Sequence, residues 1–327
     1  MAISSFLGSS ALLPAGLGFR NELINGAFQV DQRNNSAAQT ITAAGALAYT
    51  TDRWYAYCTG ANVTGQRIAG SAPFQYNYRF TGATSNTLVG FGQRIEAANS
   101  FNCAGATATL SAYIKSSSLT SITWSLYYAT TTDSFGTVAS PTRTLIATGT
   151  FTISATLTRY STQIAVPAAA TTGLELVFTT GALVASQTLE FTGVQLEQNF
   201  QPTPFEQRPI GMELTLCQRY YSKSYNQSSV PGAFIVNGFV EGAVSTDDTS
   251  LIMGAVRFPV EMRAAPTVTP YAPATGTINS ATRYIAATDT ACTVIGIGSG
   301  GFRAVYLNSA GTVTNLYRTH YTASSEL

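Results

Sequence analysis

Hydrophobic and polar residues alternate along most of this chain with the two-residue period of half-buried strands. In the run from Phe74 to Phe80, Phe74, Tyr76, Tyr78 and Phe80 fall on one side, against Gln75, Asn77 and Arg79. Thr107 to Ile114 turns Ala108, Leu110, Ala112 and Ile114 inward, and Ile122 to Tyr128 does the same with Ile122, Trp124, Leu126 and Tyr128. Further runs lie at Ala27 to Val30 after the Asn25-Gly26 turn signal, Arg53 to Tyr57, Leu88 to Ile95, Thr150 to Ile153, Arg159 to Val166, Leu174 to Phe178 and Leu189 to Glu197. No helical period interrupts them. Gly90 and Gly92, inside one run, point to a bulge or a close backbone approach. Strands with one apolar face and one Thr/Ser-rich face, spaced by turns, predict an antiparallel sandwich or jelly roll.

The pattern changes between Leu189 and Tyr221. Gly193 shifts the phase of the strand, so that Val194 and Leu196 take over the apolar side from Leu189 and Phe191. Pro202 and Pro204 end the pairing, because proline lacks the ladder donor. After Pro209, a plausible first-turn residue, Leu214, Cys217 and Tyr221 recur at helical spacing. This predicts four regions: an N-terminal arm at 1–20, a jelly-roll sandwich at 21–208, a linker helix at 209–224 and a C-terminal β-sandwich or knob at 225–327. In the last region, strand-like runs lie at Ala233 to Val240, Leu251 to Phe258, Thr267 to Tyr271, Tyr284 to Ala287, Cys292 to Ile297, Phe302 to Leu307 and Val313 to Tyr321. Pro259, Pro266, Pro270 and Pro273 confine the middle ones to edges or loops. Gly296, Gly298, Gly300 and Gly301 mark a tight turn, and no helix follows them to make a phosphate loop. The predicted fold class is all-β: two antiparallel, jelly-roll-like sandwiches joined by a Pro-rich linker and a short helix, with an extended arm. Leu214, Cys217 and Tyr221 form the candidate seam, between domains or between subunits.

Composition narrows the chemistry. Charged residues are only 10% of the 327, against an ordinary quarter, and lysine occurs only at Lys115 and Lys223. With a net charge of +1 and no basic patch, a nucleic acid partner is excluded. So weakly charged a surface favours self-association. The N-terminus has no basic residue before Arg20 and is broken by glycine and proline, so it reads as neither a signal peptide nor a membrane span. Its apolar residues Ile3, Phe6, Leu7, Leu12, Leu13, Leu17 and Phe19 either cover the chain's own first domain or dock into another subunit or protein. The four cysteines (Cys58, Cys103, Cys217, Cys292) are widely spaced, giving neither a metal set nor a disulfide framework and fitting a reducing cytoplasm. His320 is the single histidine and lies in a strand pattern. Carboxylate pairs such as Asp31 with Asp52 or Glu190 with Glu197 stay open as candidates, and Asp247-Asp248 reads as a polar hairpin loop before a calcium site. No catalytic residue, metal or cofactor is assigned. The 17 tyrosines, 17 phenylalanines and 2 tryptophans, clustered at Trp54, Tyr55, Tyr57 and at Tyr76, Tyr78, suit sugar stacking as well as subunit contacts.

Several stretches resemble phage structural proteins. FRNELINGAFQVDQRN (Phe19 to Asn34) and TDRW (Thr51 to Trp54) are similar to the start of a jelly-roll module found in them. QRIEAANSFNCAGATATLSAYIKSS (Gln93 to Ser117) resembles its central strands, which are like those of carbohydrate-binding modules. GVQLEQNFQPTPFEQRPIGMELTLCQRYY (Gly193 to Tyr221) resembles the closing strand and linker. FPVEMRAAPTVTPYAPATG (Phe258 to Gly276) and HYTASSEL (His320 to Leu327) look like the β-domain that follows in tail-fibre and head-fibre (decoration) proteins. The resemblance implies a non-enzymatic virion component assembled in the host cytoplasm, without cofactor. It also implies a homotrimer whose arm grips a tail adaptor or capsid protein and whose outer domain contacts a host-surface glycan. The alternatives are a decoration or head-fibre protein on the major capsid protein and, third, a polysaccharide-degrading tailspike needing a carboxylate pair in a groove.

Overall fold

The structure, a computed structural model, describes residues 19–44, 46–244, 251–252, 255–309 and 315–327. It is an all-β sandwich protein, 46% strand and 5% helix. The first half contains β1 (Gln39–Ile41), β2 (Ala48–Tyr49), β3 (Tyr55–Thr59), β4 (Val63–Ala69), β5 (Tyr76–Thr81) and β6 (Leu88–Ile95). After the single-turn α1 (Ala97–Ser100) come β7 (Thr107–Ser116), β8 (Ser121–Ala129), β9 (Arg143–Thr152), β10 (Thr158–Ala165), β11 (Leu174–Thr180) and β12 (Thr188–Glu197). They pair as two antiparallel six-stranded sheets, in the orders β1-β4-β5-β12-β7-β10 and β2-β3-β6-β11-β8-β9. Between them lies one core, where Phe28, Trp54, Tyr78, Phe80, Phe91, Phe178 and Phe191 are buried. Trp54 stacks on Phe91 at 4.8 Å, and Phe91 on Tyr78 at 5.3 Å. The phase shift read at Gly193 is an irregularity in the β12–β7 ladder between Thr192 and Gln195, with Gly193 at φ +54°.

Ala27 to Val30 does not form the expected strand. Asn25 and Phe28 have positive φ, and the Asn25 side chain takes both the Val30 N–H and its carbonyl. These bonds replace a ladder partner, and the loop drives Phe28 into the core with no exposure. Pairing also keeps β9 going well before Thr150, from Arg143. The single turn at α1 was not legible, since four residues carry no period.

After Pro209, α2 (Ile210–Gln218) packs on the first sandwich. Cys217 is buried with Ile24, Val30 and Tyr220, and Leu214 lies half-buried against them. The Glu213 carboxylate accepts the Asn25 N–H. Tyr221, expected on this helical face, lies beyond it. The helix ends where the Tyr220 N–H turns to the Cys217 carbonyl and the backbone N–H groups of Arg263 and Ser325 take the Arg219 and Tyr220 carbonyls. Tyr221 then opens β13 (Tyr221–Lys223), paired with Ser324; Arg219 is also tied to Glu96 at 3.0 and 2.9 Å.

The second half adds β14 (Val240–Ala243), β15 (Leu251–Ile252), β16 (Val256–Arg257), β17 (Thr267–Tyr271), β18 (Ser280–Arg283), β19 (Thr288–Gly298), β20 (Gly301–Leu307) and β21 (Leu316–Ser324). With β13 they make one connected nine-stranded sheet. β21 is its spine: its first half pairs with β14 and β18, its second half with β13 and β17. Phe302 on β20 meets Tyr321 on β21 at 5.2 Å, although β18 and β19 lie between them in the pairing order. Three strand spacings amount to about 14 Å in a flat sheet, so the sheet curls over its own core of Phe258, Met262, Phe302, Leu307 and Tyr321. Two sequence expectations differ. Ala233 to Val240 is strand only from Val240, and Tyr284 to Ala287 is the turn joining β18 to β19, with Ala287 at φ +48°.

Candidate functional site

The outward face of the second sheet carries a tyrosine cluster separate from the core. Along β3 the side chains alternate, Ala56 and Cys58 inward, Tyr55 and Tyr57 outward. Their rings lie flat on β6 because that strand has glycine beneath each. A Cβ on Gly90 would come within 2.1 Å of the Tyr57 ring, and one on Gly92 within 2.6 Å of the Tyr55 hydroxyl. The two strand-interior glycines therefore mark a close approach of rings, with no register shift between β6 and β11. Val177, Leu88, Tyr127 and Val138 surround the rings.

Beside the rings runs a floor of hydroxyls. Val177, Ser125 and Thr148 share one cross-strand row, and Thr179, Thr123 and Thr150 the next. The Ser125 and Thr148 hydroxyls are 2.9 Å apart. Tyr127 is half-buried, and Leu145 opposite it is 49% exposed. Apolar ring and alkyl edges beside hydroxyl donors and acceptors suit a ligand whose own surface is part C–H and part O–H.

One end of this face is charged. Glu175, fully buried, is bound by Arg94 Nε at 2.8 Å, by Arg143 and by the Tyr55 hydroxyl at 2.6 Å. Burial and the adjacent carboxylate hold the Tyr55 phenol well above its ordinary pKa. Arg143 also lies over the Tyr127 ring at 4.1 Å. Arg94 reaches on to the Leu327 carbonyl, which Tyr49 also bonds, each at 2.8 Å. Glu326 pairs with Arg53 and with Arg33, the latter at 2.9 Å. Glu326 and Leu327 are thus built into the first sandwich, at the edge of the tyrosine face. Sequence reasoning named Tyr55 and Tyr57 but missed Glu175, Arg94 and Arg143, whose only signal was charge inside strand runs of a charge-poor chain.

A groove of about 620 Å³ lies near the start of the described chain, lined by Phe19, Glu22, Ile24, Asn99, Phe101 and Arg208 among others. Phe19 and Phe101 are 55% and 64% exposed, and Arg208 lies 5.3 Å over the Phe19 ring. Burial raises the Glu22 carboxyl pKa to about 7 against the hydrogen bond from Asn102. Of the arm residues, Ile3, Phe6, Leu7, Leu12, Leu13 and Leu17 lie outside the described residues, as do Asp247 and Asp248. The seam residues separate: Leu214 and Cys217 contact the first sandwich, while Tyr221 carries the Arg33 guanidinium 3.8 Å above its ring.

The open carboxylate pairs are saturated. Asp52 accepts the Gln32 N–H and side-chain amide at 2.6 and 2.7 Å, and Asp31 caps Asn34 and Ser36. Glu190 holds Arg79, Lys115 and Asn77, and Glu197 holds Gln195 and Thr203. His320 is buried between Ser224 and the Ile235 carbonyl, each 3.0 Å away, and stacks on Tyr225. Its Nε2–H donates to the carbonyl, so Nδ1 accepts the Ser224 O–H. Burial pushes its pKa down.

No family model matches the chain, and no curated protein matches it. Among solved structures, the enzymatically active domain of tailspike protein 4 of bacteriophage CBA120 is similar at 18% identity and a TM-score of 0.35. That match covers 55% of this chain and 22% of the tailspike. A CBM4 structure is 16% identical with a TM-score of 0.33, over 54% of this chain and 98% of its own. The TmCBM61 structure with β-1,4-galactotriose is 11% identical with a TM-score of 0.34, over 55% of this chain and all of its own. All three likenesses are distant, and the residues of this chain carry the functional reading.

Proposed function

We propose that this chain is a non-enzymatic phage virion protein, a trimeric fibre or knob held to the particle by residues 1–20, that binds host-surface glycan. The observation that carries the glycan reading lies in the first sandwich and not in the expected outer domain: it is the outward face of β3-β6-β11-β8-β9, where Tyr57, Tyr127 and Leu145 border two rows of hydroxyls. A sugar ring laid against Tyr127 and Leu145 would place its hydroxyls over Thr123, Ser125, Thr148 and Thr179, with Arg143 at one end. Saturation of the paired carboxylates supports binding without cleavage, because a glycosidase needs one acid and one base free to exchange protons. The low charge and exposed apolar residues such as Phe234, Val236 and Ile285 support burial of surface between copies. The full-length chain on a glycan array tests the reading. Binding to a defined set of glycans, lost in Tyr127→Ala, is expected; no binding, or binding indifferent to Tyr127→Ala, overturns it.

The second reading, a decoration or head-fibre protein seated on capsid, is favoured by the groove at the exposed Phe19 and Phe101, where the arm meets the sandwich. Deleting residues 1–18 separates anchor from adhesion: the arm is the anchor if the truncated protein no longer joins particles yet keeps its glycan profile.

A further inference from the structure

The glycine hairpin between β19 and β20 has a second aspect that the turn alone does not explain. Arg257 on β16 pairs with Gly301 on β20, which pairs with Gly298 on β19. These three share one row on one face. Two residues along β20 on the same face stands Arg303, and Gly296 lies against it: a Cβ there would be 2.6 Å from the Arg303 Cβ. Val256 and Phe302, one residue away, turn to the opposite face and pack in the core. The outward face therefore presents two arginines over a floor of bare backbone, in a groove of about 290 Å³. Nothing lies within 4 Å of where a Gly298 side chain would begin, and Arg257 Nη1 is 3.6 Å from the corresponding point on Gly300.

The two arginines are diagonal cross-strand neighbours, a relation that sets their backbones about 7–8 Å apart. Both are exposed. Among the described residues neither guanidinium has a hydrogen bond, ion pair or ring partner, whereas every other arginine of the chain has one, Arg283 included. Glu261 accepts a hydrogen bond from the Ser299 hydroxyl of the same hairpin at 2.9 Å and pairs with neither. Like charges so placed repel each other, and the other arginines of this charge-poor chain are each given a partner. An oxyanion between them would receive charge-assisted, fork-like hydrogen bonds from both sides.

We propose that the face of Arg257, Arg303 and Gly296–Gly301 is a binding site for an oxyanion carried on a sugar, either a uronic acid carboxylate or a phosphate ester. The bare glycine floor admits the sugar ring close to the backbone, and the two guanidiniums select for its charge. The charge of the ligand is read from this face alone, and that a sugar carries it rests on the glycan reading above.

Ligand-observed NMR on the full-length chain, with methyl β-glucuronide, glucose 6-phosphate and neutral methyl β-glucoside as probes, tests it. At least one acidic probe should bind and compete with inorganic phosphate. Arg257→Gln and Arg303→Gln, both surface changes, should each weaken it about tenfold or more, the loss of one charge-assisted bond. Preference between the two acidic probes identifies the source of the oxyanion. Absence of binding by both, equal binding of the neutral probe, or indifference to both substitutions overturns the proposal. Tyr127→Ala should leave this binding intact, so failure here and failure of the sandwich site are separately visible.

Discussion

The glycine beneath Tyr57 gives the sharpest test of the tyrosine face. In Gly90→Ala the new methyl would sit 2.1 Å from Tyr57 Cζ and 2.3 and 2.6 Å from its two ε carbons. Carbon atoms prefer about 3.5–4.0 Å, so the ring must move by about 1.4 Å or more. Val177, Leu88 and Tyr127 obstruct sideways motion, which leaves lifting away from the strand. Overpacking of this kind costs about 1–3 kcal/mol. With Tyr57→Ala already in place the obstacle is gone, and alanine in a strand interior is better than glycine by about 0.5–1 kcal/mol. The same substitution should therefore destabilise one background and stabilise the other, a coupling of about 1.5–4 kcal/mol. Urea unfolding followed by tryptophan fluorescence measures it cleanly, because Trp54 and Trp124 both sit in the first sandwich core. On the glycan array, Gly90→Ala alone should lose binding. Equal effects of Gly90→Ala in the two backgrounds would mean that the ring does not rest on this strand, and the site as drawn would fall.

Three further expectations follow from the buried charges. Glu175→Ala strands Arg94, Arg143 and the Tyr55 hydroxyl, and should cost about 3–5 kcal/mol in urea unfolding; a loss below 1 kcal/mol would show that water replaces the carboxylate. Glu326→Ala leaves Arg53, 1% exposed, without its carboxylate; it should lower stability by a similar 3–5 kcal/mol and split calorimetric unfolding into two transitions, whereas one unshifted transition would refute a latch. Glu22 holds its proton more tightly folded, with a pKa of about 7, than unfolded near 4.5. Its contribution is therefore full below 4.5 and lost as pH rises through 7, on the order of 1 kcal/mol at a partly exposed site. Glu22→Gln should flatten the change in melting temperature across that window, and a variant as pH-sensitive as wild type contradicts the assignment.

The strands of the first sandwich were legible where alternation ran long enough to average out exceptions, as in β7, β8 and β12. What misled was local and polar. Asn25 satisfies its own loop, so Ala27 to Val30 imitates a strand without pairing. Tyr284 to Ala287 has the β-forming residues Tyr284 and Ile285, but Ala287 takes a left-handed turn conformation that composition does not announce. The tyrosine face was half legible. Tyr55 and Tyr57 stood out as aromatics and Gly90 and Gly92 as strand glycines, yet only the pairing of β3 with β6 shows that these are the two halves of one feature. Glu175 could not be found from its neighbours in the chain, because its partners lie 32, 81 and 120 residues away.

The stretch from Leu189 to Tyr221 illustrates how such distant partners change the meaning of a pattern. Read alone, its prolines and short helix describe a stiff connector with one apolar side offered to another domain or another subunit. In the structure that side is already occupied: Cys217 is fully buried against Ile24 and Val30, and Glu213 caps Asn25. The connector is fixed to the first sandwich by the same loop that plugs its core. At the other end, Glu326 and Leu327 return from the curled sheet to Arg33, Arg53, Arg94 and Tyr49. Two chain segments, far apart in sequence, thus grip one sandwich. Arg94 belongs both to that grip and to the charged end of the tyrosine face. A single side chain therefore joins the buried Glu175 to the Leu327 carbonyl. Glu326→Ala, which loosens the segment that Arg94 holds, should therefore weaken binding on the glycan array as well as stability in urea, while Leu214→Ala, on the helix side of the joint, should lower stability alone; unchanged glycan binding in Glu326→Ala would refute the link.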